Sequence, residues 1–147
     1  MRTLSLDTAR ALLAGDDDDR RRLEGAVARA MDPPWELQPP RATHGRHWTR
    51  WTPPAGVQVN PGTRPPAYLS DDPRLNAEME KALFATGRSV GVYHHSDEIV
   101  VPGHVWEVYT TPVLRPCNAF GDTKAEALVL ALAAAGLLKE DDHEHQG

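Results

Sequence analysis

Arginines and aromatic residues that could bind an anionic ligand are concentrated in residues 37–70, a stretch without Asp or Glu. Arginine makes planar, bidentate hydrogen bonds to phosphate, and the faces of tryptophan and tyrosine stack on nucleobases. The pattern predicts a pocket for an anionic, nucleotide-type small molecule. The residues that would form this pocket are Arg46, Trp48, Arg50, Trp51, Arg64 and Tyr68.

A structural role for the same residues is the competing interpretation. Most of the prolines lie in residues 32–67, so this stretch cannot form one regular element. Tryptophans would anchor such an irregular segment, and the stems of the arginines would pack over their rings. Arginine also outnumbers lysine thirteen to three, which we interpret as coding bias. Both interpretations stay open at the level of sequence.

Histidines and carboxylates form a second group that could do chemistry, in and around a predicted strand hairpin. Such groups bind zinc or act in acid–base catalysis when their side chains converge. Neighbouring residues of a strand point to opposite faces, so at most one of His94 and His95 can join His104. The alternatives are a metal-assisted hydrolase built from His94, His95, His104 and Asp97, or a hairpin with surface histidines. We assign no catalytic residue, no metal site and no cofactor.

Motifs of several enzyme classes are missing from the sequence, which has no Walker loop, HExxH, nucleophile elbow or dinucleotide fingerprint. There is thus no affirmative case for catalysis, and we expect a binding protein. The net charge of −5 argues against a protein that binds duplex DNA, because counterion release requires a basic surface.

The cellular setting is indicated by the single cysteine, Cys117, which excludes an internal disulfide framework and a CxxC-type zinc site. Together with the lack of a signal peptide, this predicts a cytoplasmic protein. No apolar run reaches the about 20 residues of a membrane span, so we expect no membrane partner. The length of 147 residues is sufficient for one domain with its own core.

The most regular predicted element is an almost wholly apolar helix in residues 123–138. Thr123 and Glu126 have the spacing of a capping box, and Gly136 is placed to end the helix in a left-handed conformation. A helix without a polar face must be covered on more than one side. Because helices predicted within residues 4–31 offer only a narrow apolar stripe, we expect a homodimer. Its interface would include Leu128, Val129 or Leu132.

The remaining pattern predicts a middle helix and a set of strands. The helix begins at Asp72 and Pro73, which suit the N-cap and first helical positions, and it ends at Gly87. Strand-like runs follow at about residues 88–94, 98–101, 104–111 and 113–120. These runs predict an antiparallel sheet of about four strands.

The order of these elements resembles the phage ABA sandwich domain family. The matching residues are the run from Pro65 to Asp71, the strand of Trp106, and Gly121, Asp122 and Thr123 before the last helix. Within that helix, the matching positions are Ala127, Leu128, Leu130 and Leu132. The similarity covers most of residues 18–138.

The resemblance implies an α+β fold of the α/β/α sandwich type, in which an antiparallel sheet has helices on both faces. It also implies an origin in a phage or prophage, and it supplies no catalytic residue. We expect an N-terminal helical segment at 1–17, one domain at 18–138 with a proline-rich insertion at 33–66, and a disordered acidic tail at 139–147.

The function that we predict from the sequence is that of a non-enzymatic, phage-like accessory protein. It would sequester an anionic small molecule of nucleotide type or bind a partner protein. The metal-assisted hydrolase and a structural component of phage assembly are the alternatives.

Overall fold

The computed structural model describes residues 2–37, 51–54, 64–87, 89–95, 106–110 and 119–140. Within these ranges the chain has an α+β fold, which confirms the predicted fold class. The helices are α1 (Leu6–Leu13), α2 (Asp17–Ala30), α3 (Pro73–Phe84) and α4 (Lys124–Ala134), with a 3-10 turn at Tyr68–Ser70. The strands are β1 (Arg2–Thr3), β2 (Glu36–Leu37), β3 (Trp51–Thr52), β4 (Val90–His94), β5 (Trp106–Thr110), β6 (Ala119–Gly121) and β7 (Lys139–Glu140).

The main sheet has the order β4-β5-β6, and both of its strand pairs are antiparallel. Val108 lies between Val92 of β4 and Ala119 of β6, and this row faces the hydrophobic core. Of the strands predicted from the sequence, residues 98–101 and most of residues 113–120 lie outside the described residues. Two smaller antiparallel pairs, β1 with β7 and β2 with β3, are separate from this sheet.

Helix α4 lies at the centre of the fold. It packs against β5 and β6 on one side, and against α1, α3 and the 3-10 turn elsewhere. Leu128, Val129 and Leu132 are each 0% exposed within a single chain. The chain's own elements thus already cover all three residues, and the expected homodimer stays a prediction.

The sandwich arrangement stays a prediction. Within the described residues, the helices with the main contacts to the β4-β5-β6 sheet are α3 and α4, and these two helices pack against each other. Helix α1 packs on α4, and α2 packs on α1. None of the described helices combines the length and the apolar character that a membrane span requires.

The ends of α4 are held by local and by distant groups. Thr123 Oγ1 accepts a hydrogen bond from the N–H of Glu126 at 3.2 Å, as predicted, but the return bond of a capping box is not formed. Instead, Asp71 Oδ1 accepts from the N–H of Ala125 at 3.1 Å. The C-terminal end is confirmed as a Schellman motif, since the N–H of Leu137 bonds the carbonyl of Leu132 at 3.0 Å and Gly136 has φ 76°.

A buried carboxylate joins the two ends of the described chain to α2. Glu140 is 0% exposed, and its carboxylate accepts hydrogen bonds from two nitrogens of the Arg22 guanidinium, one of them at 2.7 Å. The guanidinium of Arg2 in β1 lies 3.6 Å from the same carboxylate. Of the disordered tail expected at residues 139–147, Lys139 and Glu140 instead pair with β1, while residues 141–147 lie outside the described residues.

Replacing Glu140 by glutamine tests how strongly this ion pair stabilises the fold. Glu140→Gln leaves the guanidinium of Arg22 without its buried counter-charge, and removing one partner of a buried pair costs about 3 kcal/mol. We expect that loss in the free energy of unfolding measured by urea titration. Lys139→Gln, which changes an exposed neighbour in the same strand, is the control and should have little effect. A Glu140→Gln protein as stable as the control would contradict the assignment.

Candidate functional site

The predicted arginine and aromatic pocket is only partly within the described residues. Arg46, Trp48 and Arg50 lie outside them. In the part of the chain that the structure describes, Trp51 is half-buried, Arg64 is exposed and Tyr68 is buried. No hydrogen bond or ring contact joins these last three side chains to one another within those ranges. The pocket as a whole remains a prediction.

Trp51 is anchored against α2. A Cβ atom at Gly25 would lie 2.6 Å from Cζ2 of Trp51, so the ring occupies the space that any larger residue in the helix would fill. The guanidinium carbon of Arg29, one turn further along α2, is 5.3 Å from the centre of the ring. This is cation–π geometry. For Trp51, these contacts match the structural interpretation, in which tryptophan anchors the segment and arginine packs over it.

A double-mutant cycle tests the contact between Gly25 and Trp51. Alone, Gly25→Ala should destabilise the protein by roughly 1–3 kcal/mol, because the new methyl group collides with the ring. In a Trp51→Ala background the same change should stabilise the protein by up to about 1 kcal/mol, because alanine has the higher helix propensity. Urea unfolding of the four proteins measures both values. The same sign in both backgrounds would contradict the packing.

Tyr68 is a core residue and not the stacking surface that the sequence suggested. Its side chain is 1% exposed, so neither face of the ring is accessible to a ligand. Its hydroxyl lies 3.4 Å from Oε2 of Glu78. Burial raises the pKa of the Tyr68 hydroxyl, and the negative charge of Glu78 adds to the rise. The tyrosine is therefore uncharged at neutral pH.

The segment that carries Tyr68 is tied to α2 by a carboxylate. The N–H of Leu69 donates to Oε2 of Glu24 at 2.9 Å. Burial raises the pKa of the Glu24 carboxyl above 4.5, while the Leu69 hydrogen bond and the charges of Arg20 and Arg21 act in the opposite direction. Because the native state holds this proton more tightly than the unfolded chain, the group's contribution to stability falls as pH rises from 4.5 through the folded pKa.

The substitution Glu24→Gln tests whether the contribution of Glu24 to stability falls as pH rises. Glutamine keeps an oxygen that can accept from Leu69 and stays neutral, so the variant should gain stability relative to the natural protein as pH rises from about 4 to 7. Urea titrations across that range measure the difference. Glu36→Gln removes one negative charge at an exposed position and is the control. If the natural protein instead became more stable relative to the Glu24→Gln variant as pH rises, the hydrogen bond and the arginines would outweigh burial in setting the pKa of Glu24.

The two adjacent histidines at the end of β4 diverge, as the sequence predicted. The ring of His94 stacks on Trp106 of β5, with centroids 4.6 Å apart. The Nε2 atom of His95 lies 3.0 Å from Oε1 of Glu107. His104 and Asp97 lie outside the described residues. Within the described ranges, no group of three or more histidine, cysteine, aspartate or glutamate side chains is arranged to hold a metal ion.

A cleft that the sequence did not indicate lies between α1, the start of α2, and the junction of β6 with α4. Its volume is about 520 Å³. Its apolar wall is formed by Leu13, Ala14, Phe120 and Leu130, and its charged side chains are Arg10, Arg20, Asp122 and Glu126. An apolar wall with a few convergent polar groups is the usual composition of a small-molecule site, and the volume lies in the usual range.

The cleft depends on a close approach between β6 and α4. A Cβ atom at Gly121 would lie 2.6 Å from the backbone nitrogen of Ala127, so only glycine allows this contact. The approach places Phe120 and Asp122, the neighbours of Gly121, beside the first turns of α4. It also brings Glu126 and Leu130 of that helix to the same cleft.

The charges in the cleft are partly paired. Arg20 donates from one terminal nitrogen to the carbonyl of Leu13 at 2.8 Å, and its other terminal nitrogen lies 3.6 Å from Oε1 of Glu126. Arg10 is half-exposed, and its nearest carboxylate is that of Asp7 at 3.9 Å. The guanidinium of Arg20 thus holds the end of α1 beside α4, while Arg10 lies at a more open position.

Short sequence patterns do not predict this cleft, because its residues come from four elements separated by up to 120 positions in the chain. The Gly-Asp-Thr run before α4 was the one available signal, and we interpreted it only as the start of the helix. No family model, curated protein sequence or solved structure matches the chain. The proposals about function therefore depend on the site itself.

Proposed function

We propose that this protein is a non-catalytic, cytoplasmic accessory protein that binds a small molecule in the cleft between α1 and the β6–α4 junction. The observation that carries the proposal is the composition of this cleft. Apolar residues, two arginines and two acidic residues line one volume of about 520 Å³. Ligand sites combine apolar walls with a few oriented polar groups in this way.

A nucleotide-type molecule is the ligand class that this composition supports best. The apolar residues Leu13, Ala14 and Leu130 offer a wall on which a base can pack, and Arg10 offers a guanidinium for a phosphate. The carboxylates of Asp122 and Glu126 can accept hydrogen bonds from amino or hydroxyl groups. The ligand class is the one predicted from the sequence. The proposed site, however, is the cleft and not the arginine and aromatic segment of residues 37–70. The resemblance to the phage ABA sandwich family makes sequestration of a host signal a suitable role.

Fewer observations support the alternative functions. A metal-assisted hydrolase would need His104 and Asp97, which are not among the described residues, to join His94 or His95. The stacking of His94 on Trp106 and the bond from His95 to Glu107 already separate these two histidines. A structural role in phage assembly and a homo-oligomer both stay predictions from the sequence.

Calorimetric titration with a set of linear and cyclic nucleotides tests the proposal. At least one compound should bind, and the change Arg10→Gln should weaken that binding by about tenfold, because a hydrogen bond to a charged group contributes about 1.5–3 kcal/mol. Arg74→Gln is the matched control, since Arg74 is exposed on α3 and does not line the cleft. A set in which no nucleotide gives heat or a thermal shift would remove the nucleotide proposal.

A further inference from the structure

The main sheet has a free edge along β4. This strand pairs with β5 at each of its five residues, and the order β4-β5-β6 places its other side at the edge of the sheet. Within the described ranges, residues 90–94 make no backbone hydrogen bond on that other side. A row of unpaired N–H and C=O groups is a template on which another strand can pair. The edge of β4 therefore offers the backbone groups that an added strand requires.

Strand β4 lacks the features with which proteins usually protect such an edge. Free edges commonly carry lysine or proline, contain a bulge, or are very short. The sequence of β4 is Val-Gly-Val-Tyr-His, and its register against β5 runs from Val90 to His94 without interruption. The strand at the opposite edge, β6, has three residues. Of these two edges, β4 is thus the one that favours pairing with a further strand.

Exposed apolar side chains lie in the same part of the fold. Phe84 and Tyr93 are the large apolar residues with high exposure in the described chain, at 57% and 53%. Tyr93 belongs to β4 and points to the face of the sheet away from α4. Phe84 is the last residue of α3, the helix that packs against β4. Exposed apolar surface that is concentrated in one region commonly marks an interface.

The order of side chains along β4 suits a second copy of the same strand. A Cβ atom at Gly91 would lie 2.9 Å from Cε2 of Tyr93, so the tyrosine ring extends over the glycine of its own strand. In an antiparallel pair centred on Val92, Gly91 of each copy lies opposite Tyr93 of the other. The two rings then pack beside each other over the two glycines, and aromatic residues that cover glycines in this way stabilise strand pairs. Because β4 has no Asp, Glu, Lys or Arg, its two copies carry no such charges that would repel each other.

We propose that the protein forms a symmetric homodimer in which β4 pairs antiparallel with β4 of a second copy. The two three-stranded sheets then join into one continuous sheet of six strands. A twofold axis beside Val92 relates the two copies, and twofold symmetry is the commonest arrangement of protein dimers. The pairing covers the free edge and Tyr93. It uses no residue that lines the cleft, so the dimer and the proposed ligand site are independent.

Sedimentation velocity of the full-length protein tests self-association. We expect a reversible dimer with a dissociation constant in the micromolar range, because five residue pairs bury less surface than a permanent interface. Tyr93→Lys should weaken this dimer by about tenfold or more, because it removes the ring contact and places two like charges beside the axis. Ala11→Lys adds the same charge at an exposed position of α1 and is the control, which should dimerise as the natural protein does.

Cysteine cross-linking tests the register of the pair in a Cys117→Ser background, which lacks the natural cysteine. In the proposed pair, residue 92 of one copy lies opposite residue 92 of the other, with Cβ atoms about 5 Å apart. Val92→Cys should therefore give a disulfide-linked dimer under mild oxidation, after a small adjustment of the strands. His94→Cys, on the same face of β4, is the matched control. Its two copies would be about 13 Å apart along the strands and should not link.

These measurements distinguish self-pairing from other uses of the edge. A concentration-dependent dimer that Tyr93→Lys weakens, and that links through position 92, supports the proposal. A natural protein that stays monomeric up to about 500 μM overturns it, even if β4 then binds an extended segment of another protein. A dimer that Tyr93→Lys leaves unchanged, or that links through position 94 and not 92, also overturns it. Thermal unfolding of each variant shows whether its fold is intact, and cross-linking decides alone if Tyr93→Lys does not fold.

Discussion

The fold depends on covering a helix that has no polar face. Helix α4 is apolar around its whole circumference, so each of its sides must pack against another element. The sheet covers one side, α3 and the 3-10 turn cover others, and α1 completes the enclosure. This one requirement explains why α1 and α3, which lie far apart in the described chain, both pack on α4. It also explains why Leu128 and Leu132 are completely buried without a second subunit.

Polar groups from distant parts of the chain fix this arrangement. Asp71, in a left-handed conformation with φ 63°, binds both the side chain of Asn76 and the backbone of Ala125, and so joins the start of α3 to the start of α4. Glu140 performs the same function for the chain ends, because its buried carboxylate is held by Arg22 and lies beside Arg2. Apolar packing alone leaves the relative orientation of helices loosely defined. Partly buried hydrogen bonds of this kind restrict it, since each partner left unsatisfied away from water is costly.

The proposed ligand site is a consequence of how α4 is enclosed. Helix α1 packs on α4, and the cleft lies between α1, the start of α2, and the junction of β6 with α4. Arg20 spans part of that space, from the carbonyl of Leu13 to the carboxylate of Glu126. Gly121 allows β6 to lie close to α4, so the end of β6 forms one edge of the gap. Side chains that hold the fold together thus also form the walls of the site.

The sequence by itself determined the local features of the fold. The caps at Asp72 and Thr123 and the Schellman ending at Gly136 depend on residues no more than a few positions apart, so short patterns predict them. Divergence of His94 from its neighbour follows in the same way from the two-residue repeat of a strand. The α+β class could be predicted too, because it needs only the order of helical and strand-like periodicities.

Only the tertiary structure decided what those elements cover and what they leave open. The sequence showed that α4 must be buried, but a second subunit and the chain's own helices satisfy that requirement equally, so the pattern could not choose between them. Tyr68 resembled a ligand-stacking residue until the fold placed it in the core. The cleft joins α1, α2, β6 and α4, and its composition depends on contacts between residues far apart in the chain. Such contacts are set by packing geometry, which short-range patterns do not encode.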